Sequence, residues 1–169
     1  MRFKTTHPDG DSYAGIVTHV KPSFIVLREE ESFELDGVII LPKRSIKGVR
    51  DGKFDLCCNE ILRQNGALKK LRPTRWLDSC DTIPQVFVSM MRRGLWPAVE
   101  TLTEPGTDGA LYIGPVTGVG NGGFSLWCYD AEGKWEKEYE LRYDEIFRIE
   151  FDSKYCNHFN RYMKSKGGT

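Results

Sequence analysis

The stretches YAGIVTHV (13–20) and YIGPVTGV (112–119) share five of their eight residues. Downstream, FIVL (24–27) is matched by FSLW (124–127) at almost the same spacing. A stretch that recurs at one spacing predicts a structural unit that the chain contains twice.

The match continues to the end of each half. DGKF (51–54) is followed by Asn59, and DSKY (152–155) is followed by Asn160 at the same interval. Over the whole length, the spacing between matched residues grows only from 99 to 101. We therefore predict an internal duplication.

The duplication divides the chain into three segments. A first copy covers residues 1–66, a second copy covers residues 96–169, and a connector (67–95) lies between them. A chain of 169 residues is long enough for one large domain or two small ones.

Each copy is predicted to contain short strands followed by one helix. Runs rich in β-branched and aromatic residues, separated by turn residues, indicate strands. The predicted strands are 12–20, 23–29, 33–41 and 45–50 in the first copy and 110–119, 123–130, 135–142 and 145–151 in the second. Apolar residues at helical spacing predict helices at about 53–64 and 153–165, the second with Asp152 as its N-cap. With a leading strand added to each copy, the expected fold class is mainly β (α+β), with five strands per copy.

This pattern resembles the small barrels of the SH3-like and Sm-like type, with a long strand bent at Gly15 or Gly114. The resemblance implies two tandem five-stranded barrels, each followed by a short helix and joined by a helical connector. The second copy also resembles a group of uncharacterised bacterial proteins that share the pattern Y-x-L-x-x-x-E-I-x-R-I-x-F, here residues 139–151. That second resemblance implies no chemistry.

The charges of the chain balance overall but are unevenly distributed. There are 24 basic and 24 acidic residues, which argues against a general affinity for nucleic acid or anionic lipid. The connector carries 6 basic and 2 acidic residues, whereas the second copy carries 8 and 12. A segment of charge +4 therefore precedes a copy of charge −4.

A helix is predicted within the connector. It begins after Asp81 or Thr82 and ends at Gly94. Its large apolar residues fall on one helical face, and they are Ile83, Val86, Phe87, Met90 and Met91. We expect this face to pack as core against the second copy.

The basic part of the connector allows two further interpretations. Its residues Lys69, Lys70, Arg72, Arg75 and Trp76 could bind the phosphates and stack on the bases of single-stranded nucleic acid. Alternatively, the same cations neutralise the acidic second copy, an attraction that salt weakens. The opposite charges of the two segments favour neutralisation over nucleic-acid binding.

Aromatic residues are denser in the second copy than in the first. Trp127, Tyr129 and Trp135 flank one loop and lack equally large counterparts in the first copy. Tyrosine and tryptophan are frequent in recognition surfaces, although packing in the core or at the joint also explains them. The candidate binding residues are therefore Arg72, Arg75, Trp76, Trp127, Tyr129 and Trp135.

The sequence lacks the local motifs of common enzymes. It contains no G-x-S-x-G, P-loop, H-E-x-x-H or dinucleotide-binding motif. Its five cysteines include no C-x-x-C pair, so we expect buried hydrophobic side chains rather than metal ligands. We predict no catalytic residues, no cofactor and no metal.

These observations favour a non-catalytic binding or protein-interaction protein whose partner is another protein. One alternative is an Sm-like RNA-associated protein, but Asp36 and Gly37 lack the asparagine that follows them in the Sm motif. Another is a toxin-immunity protein, suggested by the acidic second copy. The sequence has neither a secretory signal nor an apolar run long enough to span a membrane, so we expect a cytoplasmic location without membrane association.

Overall fold

A computed structural model of the chain describes residues 1–6, 12–102 and 109–167. Its first half contains β1 (Arg2–Thr5), β2 (Ser12–Val20), β3 (Phe24–Glu31), β4 (Glu34–Pro42), β5 (Ile46–Arg50) and α1 (Lys53–Gln64). The connector contains α2 (Ile83–Arg93) after two short 3-10 turns. The second half contains β6 (Ala98–Thr101), β7 (Ala110–Ile113), β8 (Val116–Val119), β9 (Gly123–Tyr129), β10 (Trp135–Arg142), β11 (Ile146–Phe151) and α3 (Lys154–Ser165). The fold is therefore mainly β with three helices, as the sequence predicts.

Strands from both halves share one large sheet. Its order is β5-β1-β2-β3-β4-β11-β6-β7, and a second sheet has the order β10-β9-β8. The halves meet where β4 pairs with β11, with Ile40 opposite Ile149 and Val38 opposite Phe151. Among the described residues, no strand pairing closes either half into a barrel.

The strand predicted at 110–119 is interrupted. Residues 114 and 115 separate β7, which pairs with β6, from β8, which pairs with β9. Proline lacks a backbone N–H and so cannot continue the hydrogen-bond ladder at Pro115. In the first half, β2 instead stays continuous and pairs with both β1 and β3.

The helices begin and end close to the predicted residues. Helix α1 has the predicted bounds, and α2 begins after Thr82 and ends at Gly94, whose φ is 61°. Gln85 caps α2, because its side-chain oxygen accepts hydrogen bonds from the backbone N–H of Thr82 and of Asp81. The prediction of Asp152 as the cap of α3 is wrong. Ser153 takes that position and accepts a hydrogen bond from the Cys156 backbone N–H.

The apolar face of α2 lies in the main hydrophobic core. Ile83, Val86, Phe87 and Met90 are buried, whereas Met91 is exposed. The same core includes residues of β3 and β4 from the first half and of β8, β9 and β11 from the second. Core packing of this helix is therefore confirmed, with the addition that it contacts both halves.

Acidic residues of the connector, rather than its cations, form its ion pairs. Asp78 lies 3.1 Å from the His19 ring, and Asp81 lies 3.3 Å from the Lys21 ammonium. Within the described residues, no connector cation forms an ion pair with the second half. The described residues therefore provide no direct ion pair through which these cations would neutralise the second copy. No helix in the described part of the chain is long and apolar enough to cross a membrane.

Candidate functional site

A cleft of about 500 Å³ lies between the connector and α3. Its floor and walls combine aromatic, amide and cationic side chains. The lining residues are Thr74, Trp76, Gly94, Leu95, Trp96, Phe151, Asp152, Asn157, Asn160, Arg161 and Lys164. We refer to this feature as the connector cleft. Its two walls come from segments that are far apart in the sequence.

Trp76 forms the connector side of the cleft. Its ring packs against Phe151, with ring centroids 5.6 Å apart. The Arg93 guanidinium lies 5.5 Å from the centroid of the Trp76 ring. A cation at this distance is attracted by the negative face of an indole. The guanidinium is thereby held beside the cleft.

Trp96 forms the base of the α3 side and is buried. The Lys164 ammonium lies 4.6 Å from its ring centroid. Another part of the indole meets Trp135 edge-on, with ring centroids 5.7 Å apart. Each of the two indole rings, that of Trp76 and that of Trp96, is thus in contact with one cation and one other aromatic ring.

Among the described residues, the cations around the cleft have no acidic partner. No carboxylate of a described residue lies within 4.0 Å of Arg75, Arg93, Arg161 or Lys164. Asp152 is the one acidic residue among those lining the cleft, and the Arg28 guanidinium lies 3.1 Å from its carboxylate. The cleft therefore presents positive charge that the described part of the molecule does not neutralise.

The Asn160 side chain fixes the position of α3 in the cleft wall. The Asn160 amide donates to the Trp96 carbonyl at 3.0 Å, and its oxygen accepts from the Tyr129 hydroxyl at 2.7 Å. Burial raises the pKa of Tyr129, so this hydroxyl stays protonated and remains a donor at neutral pH. Because α3 is anchored by these bonds, Arg161 and Lys164 occupy defined positions along the cleft.

Of the connector candidates, one lines the cleft and two lie outside its lining. Trp76 is a wall residue, whereas Arg72 and Arg75 are exposed on the nearby connector surface. The nucleic-acid interpretation had placed all three in one patch. In the structure, these two arginines are not part of the cleft that Trp76 lines.

The second-half candidates form a packed aromatic group behind the cleft. Trp127 stacks on Trp135 with centroids 4.6 Å apart, and Tyr129 meets Trp135 edge-on at 5.8 Å. Trp135 in turn contacts Trp96, and Tyr129 hydrogen-bonds Asn160. These residues support the cleft wall rather than line it.

Sequence reasoning missed Trp96, Arg93, Arg161 and Lys164. One usable signal existed, because Arg161 and Lys164 are three residues apart and so share a face of a predicted helix. Nothing in the sequence, however, indicated that this face would meet the connector. The contact depends on long-range folding.

The cysteines of the second half do not have the environment of a nucleophile. Burial raises the pKa of Cys128 to about 12 and that of Cys156 to about 11, so both stay protonated at neutral pH. Within the described residues, no three histidine, cysteine, aspartate or glutamate side chains are grouped as metal ligands.

Comparisons with protein families, with curated proteins and with solved structures find no match to this chain.

Proposed function

We propose that this chain is a non-catalytic binding protein that holds an acidic segment of another protein in the connector cleft. The observation that carries the proposal is a group of three cations without a carboxylate partner among the described residues. Arg161 and Lys164 line the cleft, and Arg93 lies over the ring of its wall residue Trp76. Carboxylates of a partner would complete charge-assisted hydrogen bonds with these groups.

The indole rings favour a peptide over single-stranded RNA. RNA binding without sequence preference uses free aromatic faces on which bases stack. Here the Trp76 ring is already in contact with Arg93 and Phe151. The Trp96 ring is already in contact with Lys164 and Trp135. Base stacking would have to displace these groups, whereas a carboxylate can approach the cations as they stand.

Preorganisation adds to the argument. Long cationic side chains lose rotational freedom when they bind a ligand, and this loss opposes binding. Contact with the indole rings already restricts Arg93 and Lys164 before any partner arrives. The cleft is therefore suited to recognition at a small entropic cost.

The architecture behind the cleft is, in our proposal, a duplicated small-barrel unit of the SH3-like or Sm-like type. Support comes from the pairing order. β1 lies between β5 and β2, and β6 lies between β11 and β7 at corresponding positions of the second half. The recurring sequence stretches agree with this order. The cleft would then be a feature of the second unit and the connector together.

A titration of the full chain with a synthetic oligo-glutamate peptide tests the proposed function. Trp76 lines the cleft, so tryptophan fluorescence reports binding. We expect saturable binding at low salt that weakens as salt is added, because the contacts are ionic. An oligo-lysine peptide of the same length should not bind, and oligouridylate should bind more weakly than the glutamate peptide.

The double variant Arg161→Glu with Lys164→Glu should lower the affinity for the glutamate peptide by at least about tenfold, the effect of roughly 1.4 kcal/mol. Arg63→Glu is the matched control, because Arg63 is the counterpart of Lys164 in the first copy and is exposed on α1. The proposal fails if the peptide does not bind at low salt, or if the double variant binds it as the original chain does. Tighter binding of oligouridylate would favour the RNA-associated alternative.

A further inference from the structure

The outer edge of β5 ends the large sheet. β5 pairs with β1, and no other strand of the described residues pairs with it. Apolar side chains are exposed on this strand and shortly after it in the sequence: Val49 on β5 is 59% exposed, and Phe54 and Leu56 at the start of α1 are 57% and 62% exposed. Unpaired strand edges with exposed apolar neighbours are sites at which another strand adds to a sheet.

The corresponding strand of the second half is covered. β11 pairs with β4 on the side opposite β6, and Phe147, Ile149 and Phe151 of β11 are buried. The fifth strand of the second half, β11, is thus already paired with a strand of the first half, β4. The edge of β5 has no such cover in the described residues.

We propose that this edge binds a second copy of the chain, through antiparallel pairing of β5 with the β5 of its partner. A twofold axis at Gly48 places each Gly48 opposite the other. Lys47 then faces the partner's Val49, and Ile46 faces the partner's Arg50. A twofold contact of this kind is self-complementary and closes after two copies.

The charges in this register are compatible with pairing. No like charges lie directly opposite each other, which would destabilise a strand pair. Lys47 faces an apolar side chain, and the Arg50 guanidinium is neutralised by Asp55, whose carboxylate lies 3.3 Å away. Glycine at position 48 places no side chain at the axis, and within one chain no atom lies within 4 Å of the position that a Cβ would occupy there.

Head-to-tail pairing of β10 with β5 is less favourable. Such pairing would join β10 of one copy to β5 of the next, as β4 is joined to β11 within the chain. In the β4–β11 pair, Val38 lies opposite Phe151. The counterparts of these two residues, 100 positions away in the other half, are Glu138 and Asp51. Extending the same register places Arg142 opposite Lys47. Like charges would meet at both ends, so this mode of assembly is disfavoured. The exposed charged residues of β10 are of the kind that prevent edge pairing.

Disulfide trapping tests the axis directly. Residues directly opposite in an antiparallel pair have Cα atoms about 4.5–5.5 Å apart, within the range that a disulfide bridges. We expect Gly48→Cys, in a Cys57→Ser background that removes the exposed native thiol, to form a covalent dimer on mild oxidation. Lys47→Cys in the same background is the control. It faces the partner's Val49 rather than its own counterpart, and it should cross-link far less.

Sedimentation of the full chain supplies the second measurement. We expect a monomer–dimer equilibrium that Val49→Lys with Phe54→Glu weakens at least about tenfold, whereas Val20→Lys, at another exposed position, leaves it unchanged. Both altered side chains are more than half exposed, so thermal unfolding should confirm that the variant folds. A chain that stays monomeric at high concentration overturns the proposal. So does a dimer that survives the double variant, or cross-linking at residue 47 equal to that at residue 48.

Discussion

The ring of Phe87 in α2 stacks on the ring of Phe124 in β9, with centroids 3.8 Å apart and an angle of 20° between their planes. Both side chains are buried in a core that also contains Val26 and Ile40 of the first half. The connector helix therefore joins strands of both halves through one continuous apolar core. This arrangement predicts that the two halves unfold together.

Phe87→Ala should lower the free energy of unfolding by about 3–5 kcal/mol, because it removes a fully buried ring and leaves a cavity. Urea denaturation followed by tryptophan fluorescence and by circular dichroism measures the effect. We expect a single transition with the same midpoint for both probes. Met91→Ala, on the exposed side of the same helix, is the control and should cost far less. Two separated transitions in the original chain would contradict the shared core.

Local features of the fold were predictable because they depend on short-range patterns. The bounds of α1 follow from apolar spacing, and those of α2 follow from the capping residues Asp81 or Thr82 before it and from Gly94 after it. The sequence pattern includes Met91 in the apolar stripe of α2. In the structure, Met91 lies at the exposed margin of that stripe. A stripe of apolar residues indicates which face is buried, but the contact with neighbouring strands decides how wide the buried part is.

Long-range features were not predictable by the same reasoning. The pairing of β4 with β11 joins residues more than a hundred positions apart, and the expectation of two separate barrels gave no reason for it. One signal was present, since VIIL at 38–41 is a continuous apolar run and all four residues are buried. Such a run indicates a strand covered on both faces. Likewise, the connector cleft exists only because α3 packs beside Trp76 and Trp96.

Gly15 permits β2 and β3 to approach closely. A Cβ at this position would lie 2.3 Å from the Arg28 carbonyl oxygen and 2.7 Å from Leu27 Cδ1. Gly15→Ala should therefore lower the free energy of unfolding by about 1–3 kcal/mol, since the backbone of β3 must move. Gly48→Ala, compared at a concentration at which the chain is monomeric, is the matched control in a strand of the same half, because within one chain its Cβ would meet no atom within 4 Å. If the two variants are equally stable in thermal denaturation, the close approach of β2 and β3 does not exclude a side chain at position 15.

Arg44 links the two halves at their corresponding 3-10 turns, Lys43–Ser45 and Tyr143–Glu145. Its Nη2 donates hydrogen bonds to the carbonyl oxygens of Tyr143 at 2.6 Å and of Ile146 at 2.8 Å. Arg44→Ala should lower the free energy of unfolding by about 1.5 kcal/mol, the lower end of the range for hydrogen bonds to a charged group, because the side chain is exposed. Lys43→Ala, at the exposed neighbouring position, should change it by less than about 0.5 kcal/mol. A loss at Lys43 as large as that at Arg44 would refute the assigned link.

A group of acidic residues surrounds Arg148 near the junction of the halves. The Arg148 guanidinium lies 3.1 Å from the Glu100 carboxylate and 3.4 Å from that of Glu150, and it also contacts the Tyr13 ring. Glu29, in strand β3, interacts with this group and has its pKa raised from 4.5 to about 7. Burial is the main cause, and the negative charge of Glu150 adds to it, while Arg148 opposes the shift.

The raised pKa of Glu29 makes stability depend on pH in a defined direction. Between pH 4.5 and about 7, the folded chain holds a proton at this carboxyl that the unfolded chain has already lost. The contribution of Glu29 to the free energy of unfolding is therefore greatest at the acidic end of this window and falls as pH rises through it. Glu29→Gln cannot ionise, so its stability relative to the original chain should rise from pH 5 to pH 8 in urea titrations. Glu140→Gln, at an exposed position of β10, is the control, because Glu140 is not among the charges that shift the Glu29 pKa. Parallel pH profiles for the original chain and Glu29→Gln would show that Glu29 ionises equally in the folded and unfolded states.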